Sequence, residues 1–282
     1  MKRTVKVILW GLLGFVLIAG AAMGLFIYKI TNGFPVTFET EIPKIDFPPD
    51  QPAVLVFSKT TGYRHGEAID ASIPVFKQMA SQNHWFVYQT EEGGVFNAEQ
   101  LSRFKIVIFN NSSGRVLNEQ QQTALSQYVE AGGTLLGIHS AGDNSHHWPW
   151  YETNLIGTLF SHHPLDPQLQ KTKVFMEASA DSTLAHKISP SWTNEDEWYV
   201  FFNQPEGMRI LSYIDGDKII PSGNMLWIKD KNFGMGKHHP VTWYRNVGKG
   251  KTFYTSMGHK KEIWQNKNYV QMIENAVWWA MQ

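Results

Sequence analysis

The sequence contains no cysteine among its 282 residues. Disulfide bonds, thiolate metal sites and cysteine-based acyl transfer are therefore excluded. The sequence also has no excess of charge of either sign, because 25 Lys and Arg residues balance 25 Asp and Glu residues. Without a basic surplus or a basic run, the composition predicts no nucleic-acid partner and no electrostatic attraction to anionic lipid.

Apolar and aromatic residues are abundant. Hydrophobic residues make up 43% of the chain, which is enough to bury a full core. The 11 Trp, 10 Tyr and 17 Phe residues can fill that core. Their rings can also stack on the apolar faces of sugars, so the aromatic content alone leaves both interpretations open.

The N-terminal segment carries 21 uncharged residues over positions 8–28. As a helix this segment is about 30 Å long, the thickness of the hydrocarbon layer of a bilayer. Lys2, Arg3 and Lys6 precede it and Lys29 follows, which predicts a single-pass anchor over residues 1–30 with its N-terminus in the cytoplasm. The alternative is a cleaved signal peptide and a secreted domain, because small residues at 19–22 offer a cleavage site.

The rest of the chain divides into a proline-rich spacer over residues 31–52 and one globular domain over residues 53–282. Predicted strands cover residues 54–57, 85–89, 106–109, 134–138, 172–176, 209–214, 239–244 and 252–255. Predicted helices cover residues 67–81, 118–131 and 269–281. Strands that alternate with helices predict an α/β fold with a doubly wound, mostly parallel sheet flanked by helices.

Polar, glycine-containing loops follow the first, third and fourth predicted strands. In an open parallel sheet, ligands bind beyond the carboxyl ends of the strands, so these loops are the predicted site. His139 ends the fourth strand, where an imidazole can transfer protons or bind a metal. Ser140 is a weak candidate for a nucleophile, because Ile138 stands where the turn of a G-x-S-x-G motif needs a small residue.

Histidine is concentrated in the second half of the chain, and none of these residues has the spacing of a helical metal pair. A divalent metal such as Zn²⁺, held by histidines and carboxylates from separate loops, remains open on spacing alone. Asp196 and Glu197 directly precede Trp198 and Tyr199. This pattern predicts either an acid/base pair beside a sugar-stacking ring or a solvated turn before a core strand.

Seven segments in the domain match a known family in order and spacing. They are TGYRH (61–65), GGTLLGIHSA (132–141), WPWY (148–151), HP (163–164), DEWY (196–199), HPVTW (239–243) and TSMGH (255–259). With these segments the domain resembles the ThuA-like (trehalose utilisation) family. The match runs from Ala53 to the C-terminus and leaves the N-terminal anchor and the spacer outside.

The resemblance implies a sandwich like that of class I glutamine amidotransferases, with His139 near the position of the lost cysteine nucleophile. It also implies a link to the catabolism of disaccharides or keto-sugars. Without cysteine the chain is not a glutaminase, so we expect a hydrolase, lyase or isomerase that acts on an oxidised (3-keto) glycoside. The substrate is then a small carbohydrate.

The expected site residues fall into three groups. Catalytic roles go to His139, Asp196, Glu197, Arg64 and His65, in proton transfer or in stabilising an enolate. Substrate contacts go to Tyr63, Asp143, Trp148, Trp198 and Trp243. Metal ligation goes to His163, His239 and His259. The alternatives are a non-catalytic sugar-binding module on the membrane and, more weakly, a scaffold protein.

Overall fold

The computed structural model describes residues 3–32, 36–224 and 233–282. Residues 1–2 of the predicted basic N-terminus and residues 33–35 of the predicted spacer lie outside the described residues. The chain forms two compact units, Met1–Thr37 and Phe38–Gln282.

The first unit contains one helix, α1, over Arg3–Asn32. Its segment Val5–Phe26 has a mean hydropathy of 2.2 and is long and apolar enough to cross a membrane. A signal sequence has the same length and composition. The helix agrees with the predicted apolar segment, and both interpretations of it stand.

In its described residues, the second unit is built on a nine-stranded sheet beside a two-stranded one. The strands are β1 Ala53–Phe57, β2 Phe86–Thr90, β3 Phe104–Asn110, β4 Thr134–Ile138, β5 Phe160–His162, β6 Gln170–Met176, β7 Ser191–Asp196, β8 Val200–Phe201, β9 Arg209–Asp215, β10 His238–Val247 and β11 Gly250–Thr255. The order in the large sheet is β2-β1-β3-β4-β11-β10-β9-β6-β7, and β5 pairs with β8.

Strands β2, β1, β3, β4 and β11 are all parallel and form what we call the parallel half. Strands β10, β9, β6 and β7 continue the sheet by antiparallel pairing and form the antiparallel extension. Strands β1 and β4 are buried at every residue, because the parallel half is covered on both faces. Two hydrophobic clusters fill these two sides of the sheet.

The helices of this unit are α2 Gly66–Asn83, α3 Ala98–Leu101, α4 Glu119–Glu130, α5 Pro149–Tyr151 and α6 Lys267–Ala280. Helix α4 begins where the sequence predicts, because Asn118 caps it and exchanges hydrogen bonds with Gln121. Helix α2 continues through Pro74, which lies inside it. The parallel strands, their helices and the predicted α/β class are confirmed. Strand β7 was not predicted, since its alternating burial falls on a polar sequence.

Residues 38–52 of the predicted spacer belong to the same compact unit as the domain. Glu39 forms an ion pair with the buried Lys59, and Phe47 packs against Phe86 and Phe104. Gly94 lies so close to this segment that a Cβ there would meet the carbonyl oxygen of Glu41 at 1.8 Å. From Phe38 onward the chain is therefore docked on the domain.

Candidate active site at the carboxyl edge of the sheet

Three histidines follow three strands of the parallel half at their carboxyl ends. His65 lies in the loop after β1 and directly precedes α2, His139 follows β4, and His259 lies in the loop after β11. His139 has a positive φ of 49°, which is uncommon for a residue other than glycine. The parallel strands therefore bring three imidazoles from distant parts of the sequence to one edge.

These imidazoles meet the carboxylate of Glu197. One ligand atom from each of His65, His139, Glu197 and His259 lies within 4.8 Å of all the others. The distance from Nε2 of His139 to Nδ1 of His259 is 3.2 Å. Oε2 of Glu197 lies 3.5 Å from the former atom and 3.3 Å from the latter. Glu197 and His139 are buried and His259 is partly exposed.

A backbone carbonyl fixes the tautomer of the neutral His139 ring. Nδ1 of this ring lies 2.7 Å from the carbonyl oxygen of Ser256 and must donate to it. The neutral ring then has its lone pair on Nε2, the atom that faces Glu197 and His259. A histidine whose other nitrogen donates to a carbonyl is the usual form of a metal ligand.

Electrostatics favour the cation-binding form of two members of this cluster, His65 and Glu197, and oppose it for His259. Burial and the charges of His139 and His259 lower the pKa of His65 to about 2, so its ring is neutral. Burial opposes ionisation of Glu197, but its interactions with His139 and His259 hold its pKa well below the ordinary value. Burial likewise opposes a charge on His259, but the hydrogen bond to Glu197 raises the pKa of His259.

The spacing of these atoms fits a divalent metal ion. Tetrahedral Zn²⁺ with bonds of about 2.05 Å places its ligands about 3.3 Å apart, close to the three distances between His139, His259 and Glu197. In addition, Nδ1 of His65 is buried and has no hydrogen-bond partner among the described residues. A buried group of three imidazoles and one carboxylate can therefore hold a metal.

Asp196 lies beside this cluster and holds the backbone next to two of its members, Glu197 and His259. Its fully buried carboxylate accepts hydrogen bonds from the backbone N–H groups of Glu197, Gly258 and His259. Burial raises the pKa of Asp196, while the charge of His139 and these backbone donors oppose that rise. Both oxygens are thus occupied, so Asp196 positions the loop that carries His259.

The other two predicted metal ligands, His163 and His239, lie outside the group of four converging residues. Nδ1 of His163 contacts the other oxygen of Glu197, Oε1, at 3.1 Å, and that oxygen also accepts a hydrogen bond from Gln168 at 2.6 Å. His239 is fully buried and its Nε2 bonds the carbonyl of Tyr199 at 2.9 Å. The four converging ligand atoms include neither histidine. His65, His139 and Glu197 join His259 instead.

A cleft of about 520 Å³ opens beside His65 and His259. Tyr63 stands at this cleft with 73% of its surface exposed, and its ring meets that of His65 edge-on. Arg64 also lines the cleft, where both of its terminal nitrogens bond the carboxylate of Glu91. Tyr63 can therefore contact a ligand directly, whereas Arg64 already has an acidic partner.

Four predicted substrate contacts do not reach this cleft. Trp198 and Trp243 are fully buried in the core, where their indole N–H groups donate to the carbonyls of Gln170 and Leu155. Trp148 is 8% exposed and stacks with Trp150 and Tyr151. Asp143 accepts hydrogen bonds from Ser145. The three Trp side chains pack in the interior because this fold covers both faces of its sheet, so their rings are not available for stacking on a sugar.

Comparison with known proteins decides the family. The family model for trehalose utilisation, ThuA, matches residues 53–280. The chain belongs to the ThuA family. Among curated proteins, no sequence matches this ThuA-family chain.

Solved structures agree with this assignment. The chain is similar to a ThuA-like protein from Bacteroides uniformis, with 19% identity and a TM-score of 0.67, over 88% of this chain and 95% of that one. It is also similar to a ThuA-like protein from Parabacteroides merdae, with 17% identity and a TM-score of 0.60, over 82% and 90%. A β-galactosidase from Rahnella sp. R3 matches at 11% identity and a TM-score of 0.50, over 82% of this chain and 31% of that chain. At these identities the likeness shows a shared fold.

Two groups in the ThuA site, Ser256 and Gln168, had no role in the sequence analysis, and Tyr199 was considered there only as a sugar-stacking or core ring. Ser256 acts through its backbone carbonyl, Gln168 bonds Glu197, and the ring of Tyr199 packs on His139 with centroids 4.4 Å apart. Ser256 and Tyr199 lie inside the matching TSMGH and DEWY segments, so the motifs carried a signal for them. Gln168 lies outside any motif.

Proposed function

We propose that this ThuA domain is a carbohydrate-processing enzyme that acts on a (keto-)disaccharide or glycoside by metal-assisted acid/base chemistry. The observation that carries the proposal is the convergence of His65, His139, His259 and Glu197 at the carboxyl edge of the sheet. Perturbed, buried ionisable groups beside an open cleft are typical of catalytic sites. The family supplies the substrate class.

We also propose that the fold of this domain is related to that of class I glutamine amidotransferases. In that interpretation the sharp turn at His139, with its φ of 49°, corresponds to the turn that presents the cysteine nucleophile. An imidazole at this position supports proton transfer or metal binding rather than acyl transfer. This chain has no cysteine, so it would share the turn with those enzymes but catalyse a different reaction there.

The proposed metal is Zn²⁺ or another first-row divalent cation, held by His65, His139, His259 and Glu197. If a further coordination position were open beside these four ligands, the ion could polarise a carbonyl oxygen and so acidify the adjacent C–H group. The chain's own residues bind and orient the sugar. Tyr63 offers an exposed ring for one sugar face, and Arg64 offers N–H donors to hydroxyl groups at the rim.

We further propose that α1 anchors the domain as a single-pass membrane helix over residues 1–30, with the N-terminus in the cytoplasm and the ThuA domain outside. The asymmetry of Lys and Arg around the apolar segment supports this orientation. The alternative is secretion after cleavage of a signal peptide. In either case residues 31–52 lead into the domain over 53–282, and the proposed partners are a small carbohydrate and, for the anchored form, the membrane.

The first experiment measures the metal content and the turnover of the full-length protein purified in detergent without chelator. We expect close to one divalent ion per chain, since the cluster has one set of four ligands. We also expect cleavage of a 3-keto-disaccharide that chelation abolishes and Zn²⁺ restores. The His84→Asn variant, which changes an exposed imidazole at the end of α2, is the matched control. Metal-loaded protein that turns over no 3-keto-disaccharide would contradict the proposal.

The second candidate is a non-catalytic sugar-binding module, which the exposed ring of Tyr63 favours. The His139→Ala variant discriminates between the two functions. A binding module keeps its affinity for the sugar in this variant. An enzyme keeps much of the binding but loses turnover, since His139 lies in the buried cluster and Tyr63 at the rim.

A further inference from the structure

The polar loop after β3 contributes no ligand to the cluster, although it begins at the same edge of the sheet. Residues 111–114 are Asn-Ser-Ser-Gly and include no histidine or carboxylate. Asn111, Ser112 and Ser113 are nevertheless fully buried. Burial of a polar side chain is unfavourable unless it is hydrogen-bonded, so these three residues need partners within the protein.

The two serines bond strand β1 and the loop that follows it. The hydroxyl of Ser112 donates to the carbonyl of Phe57 at 2.8 Å, and that of Ser113 donates to the carbonyl of Tyr63 at 2.6 Å. The backbone carbonyl of Ser113 also accepts the N–H of Thr61 at 2.8 Å. The burial of both serines is therefore explained by their contacts with β1 and its loop.

Asn111 bonds the two loops that carry His139 and His259. Its Nδ2 donates to the carbonyl of Gly258 at 3.3 Å, and its Oδ1 accepts the hydroxyl of Ser140 at 3.4 Å. Ser140 directly follows His139, and Gly258 directly precedes His259. One buried side chain therefore joins the immediate neighbours of two candidate metal ligands.

The backbone at both ends of this amide bridge has a positive φ. The φ of Asn111 is 54° and that of Gly258 is 131°. Asparagine is one of the few residues that tolerate such a φ, so the turn alone would favour it at position 111. A Cβ at Gly258 would lie 2.8 Å from a methyl carbon of Ile138 and 3.3 Å from Cβ of His139. The loops that carry the two histidines therefore pack directly against each other where Asn111 joins them.

We propose that Asn111 is a positioning residue that sets the distance between His139 and His259, and this inference rests on the metal-binding part of the proposed function. Asn111 holds the carbonyl of Gly258, while Asp196 accepts the N–H of the same residue at 2.9 Å. The backbone before His259 is thus fixed at both of its polar groups. The facing nitrogens of the two imidazoles lie 3.2 Å apart, a spacing that suits two ligands of one metal ion.

The test measures the Zn²⁺ affinity of the full-length protein in detergent by competition with a chelator. Asn111→Gly removes the amide but keeps a residue that adopts a positive φ without cost. We expect its metal affinity to fall by about 10- to 100-fold, as for other groups that orient a ligand.

Asn275→Ala is the matched control. Asn275 is also buried, and its amide donates to the backbone carbonyls of Leu184 and His186, far from this site in sequence. Both variants lose a buried amide that joins distant segments, so both should lower the melting temperature. Only Asn111→Gly should weaken metal binding, and Asn275→Ala should keep the wild-type affinity.

A second readout needs neither metal nor turnover. In chelator-treated protein, the NMR signals of the His139 and His259 rings should shift in Asn111→Gly and stay unchanged in Asn275→Ala.

Metal affinity of Asn111→Gly within about threefold of wild type would overturn the inference, since an orienting group contributes at least tenfold and asparagine would then serve the turn alone. Equal losses of affinity in Asn111→Gly and Asn275→Ala would also overturn it, because they would reflect general destabilisation. If the wild-type protein binds no metal, the metal-binding part of the proposed function fails. The ring signals then decide the inference, and unchanged signals in Asn111→Gly would overturn it.

Discussion

The two halves of the large sheet contribute different chemistry to one site. The parallel half supplies nitrogen, because His65, His139 and His259 follow β1, β4 and β11. The antiparallel extension supplies oxygen, because Asp196 ends β7 and Glu197 follows it. The group of mixed ligands that could hold a metal thus forms where the two halves meet.

The difference lies in how each half reaches the site. Parallel strands end at a common edge, so loops far apart in sequence are brought together by the sheet itself. In strand order β7 lies four places from β11, which would be about 19 Å in a flat sheet. Asp196 nevertheless accepts the N–H of Gly258 at 2.9 Å. The position of these carboxylates therefore depends on the whole fold, including the loop after β11 that carries Gly258.

Removal of the oxygen ligand should have the largest effect on this arrangement. In Glu197→Gln the imidazoles lose their common anionic partner, so we expect metal affinity to fall by more than about 100-fold. Turnover should be lost with it. Elemental analysis of the purified variant, beside a chelator titration of wild type, checks the result. Unchanged metal content would show that the parallel half binds the ion alone.

Asp196→Asn tests whether the extension also positions a nitrogen ligand. The amide replaces one of the two carboxylate oxygens by an NH₂ group, which then faces the backbone N–H of either Gly258 or His259 and should cost about 1–3 kcal/mol of folding free energy. Metal affinity should fall by about 10- to 100-fold, as for other groups that orient a ligand. Urea unfolding and metal titration measure the two effects.

The neighbouring carboxylate provides the control for that experiment. Glu195 pairs with Lys260 at the surface, where its side chain is 45% exposed. Glu195→Gln should change stability by less than about 1 kcal/mol and leave the metal affinity unchanged. Equal effects of the two variants would contradict a special role for Asp196.

The metal-free protein should lose stability on acidification below pH 6.5. The pKa of His65 is about 2 in the folded state, against 6.5 in an ordinary environment, so only the unfolded chain takes up this proton across that window. Stability should therefore fall by up to about 1.4 kcal/mol per pH unit as the pH drops from 6.5. His259 has the opposite sign, because its raised pKa stabilises the fold below 6.5 and loses that effect at higher pH.

Thermal unfolding of chelator-treated protein across pH 5 to 8 measures this dependence. The same series on His65→Gln should show a smaller loss of stability at acidic pH, since the imidazole whose pKa is lowered by folding is gone. A greater or unchanged loss in this variant would assign the acid sensitivity to other groups.

Tyr63→Ala should have the smallest effect and should act on binding alone. The ring is 73% exposed, so we expect stability to change by less than about 0.5 kcal/mol. Loss of ring stacking should weaken sugar binding by about 0.5–1.5 kcal/mol, which is roughly 2- to 13-fold. Phe202→Ala removes another exposed ring, 54% accessible and outside the cleft, and should leave sugar affinity unchanged. Isothermal titration with the sugar compares the two variants.

Much of the parallel half could be predicted from the sequence because its information is local. Buried strands are continuous apolar runs, and Asn118 caps a helix. The polar loops that contain His65 and His139 directly follow such strands. Local sequence could not show which aromatic residues lie in the core and which lie at the cleft. Trp198 directly follows Glu197 in sequence, yet it is fully buried while Tyr63 is exposed, and only the packing of both faces separates a core ring from a rim ring.

The sequence by itself determined the α/β class, the apolar N-terminal helix, the absence of thiol chemistry and the placement of imidazoles just beyond strand ends. Each of these follows from composition or from the period of a short segment. Tertiary structure alone decided that Glu197 joins His65, His139 and His259, and that Asp196 holds a loop 62 residues further along the chain. The physical reason is that such contacts depend on sheet twist and strand order, which no local pattern encodes.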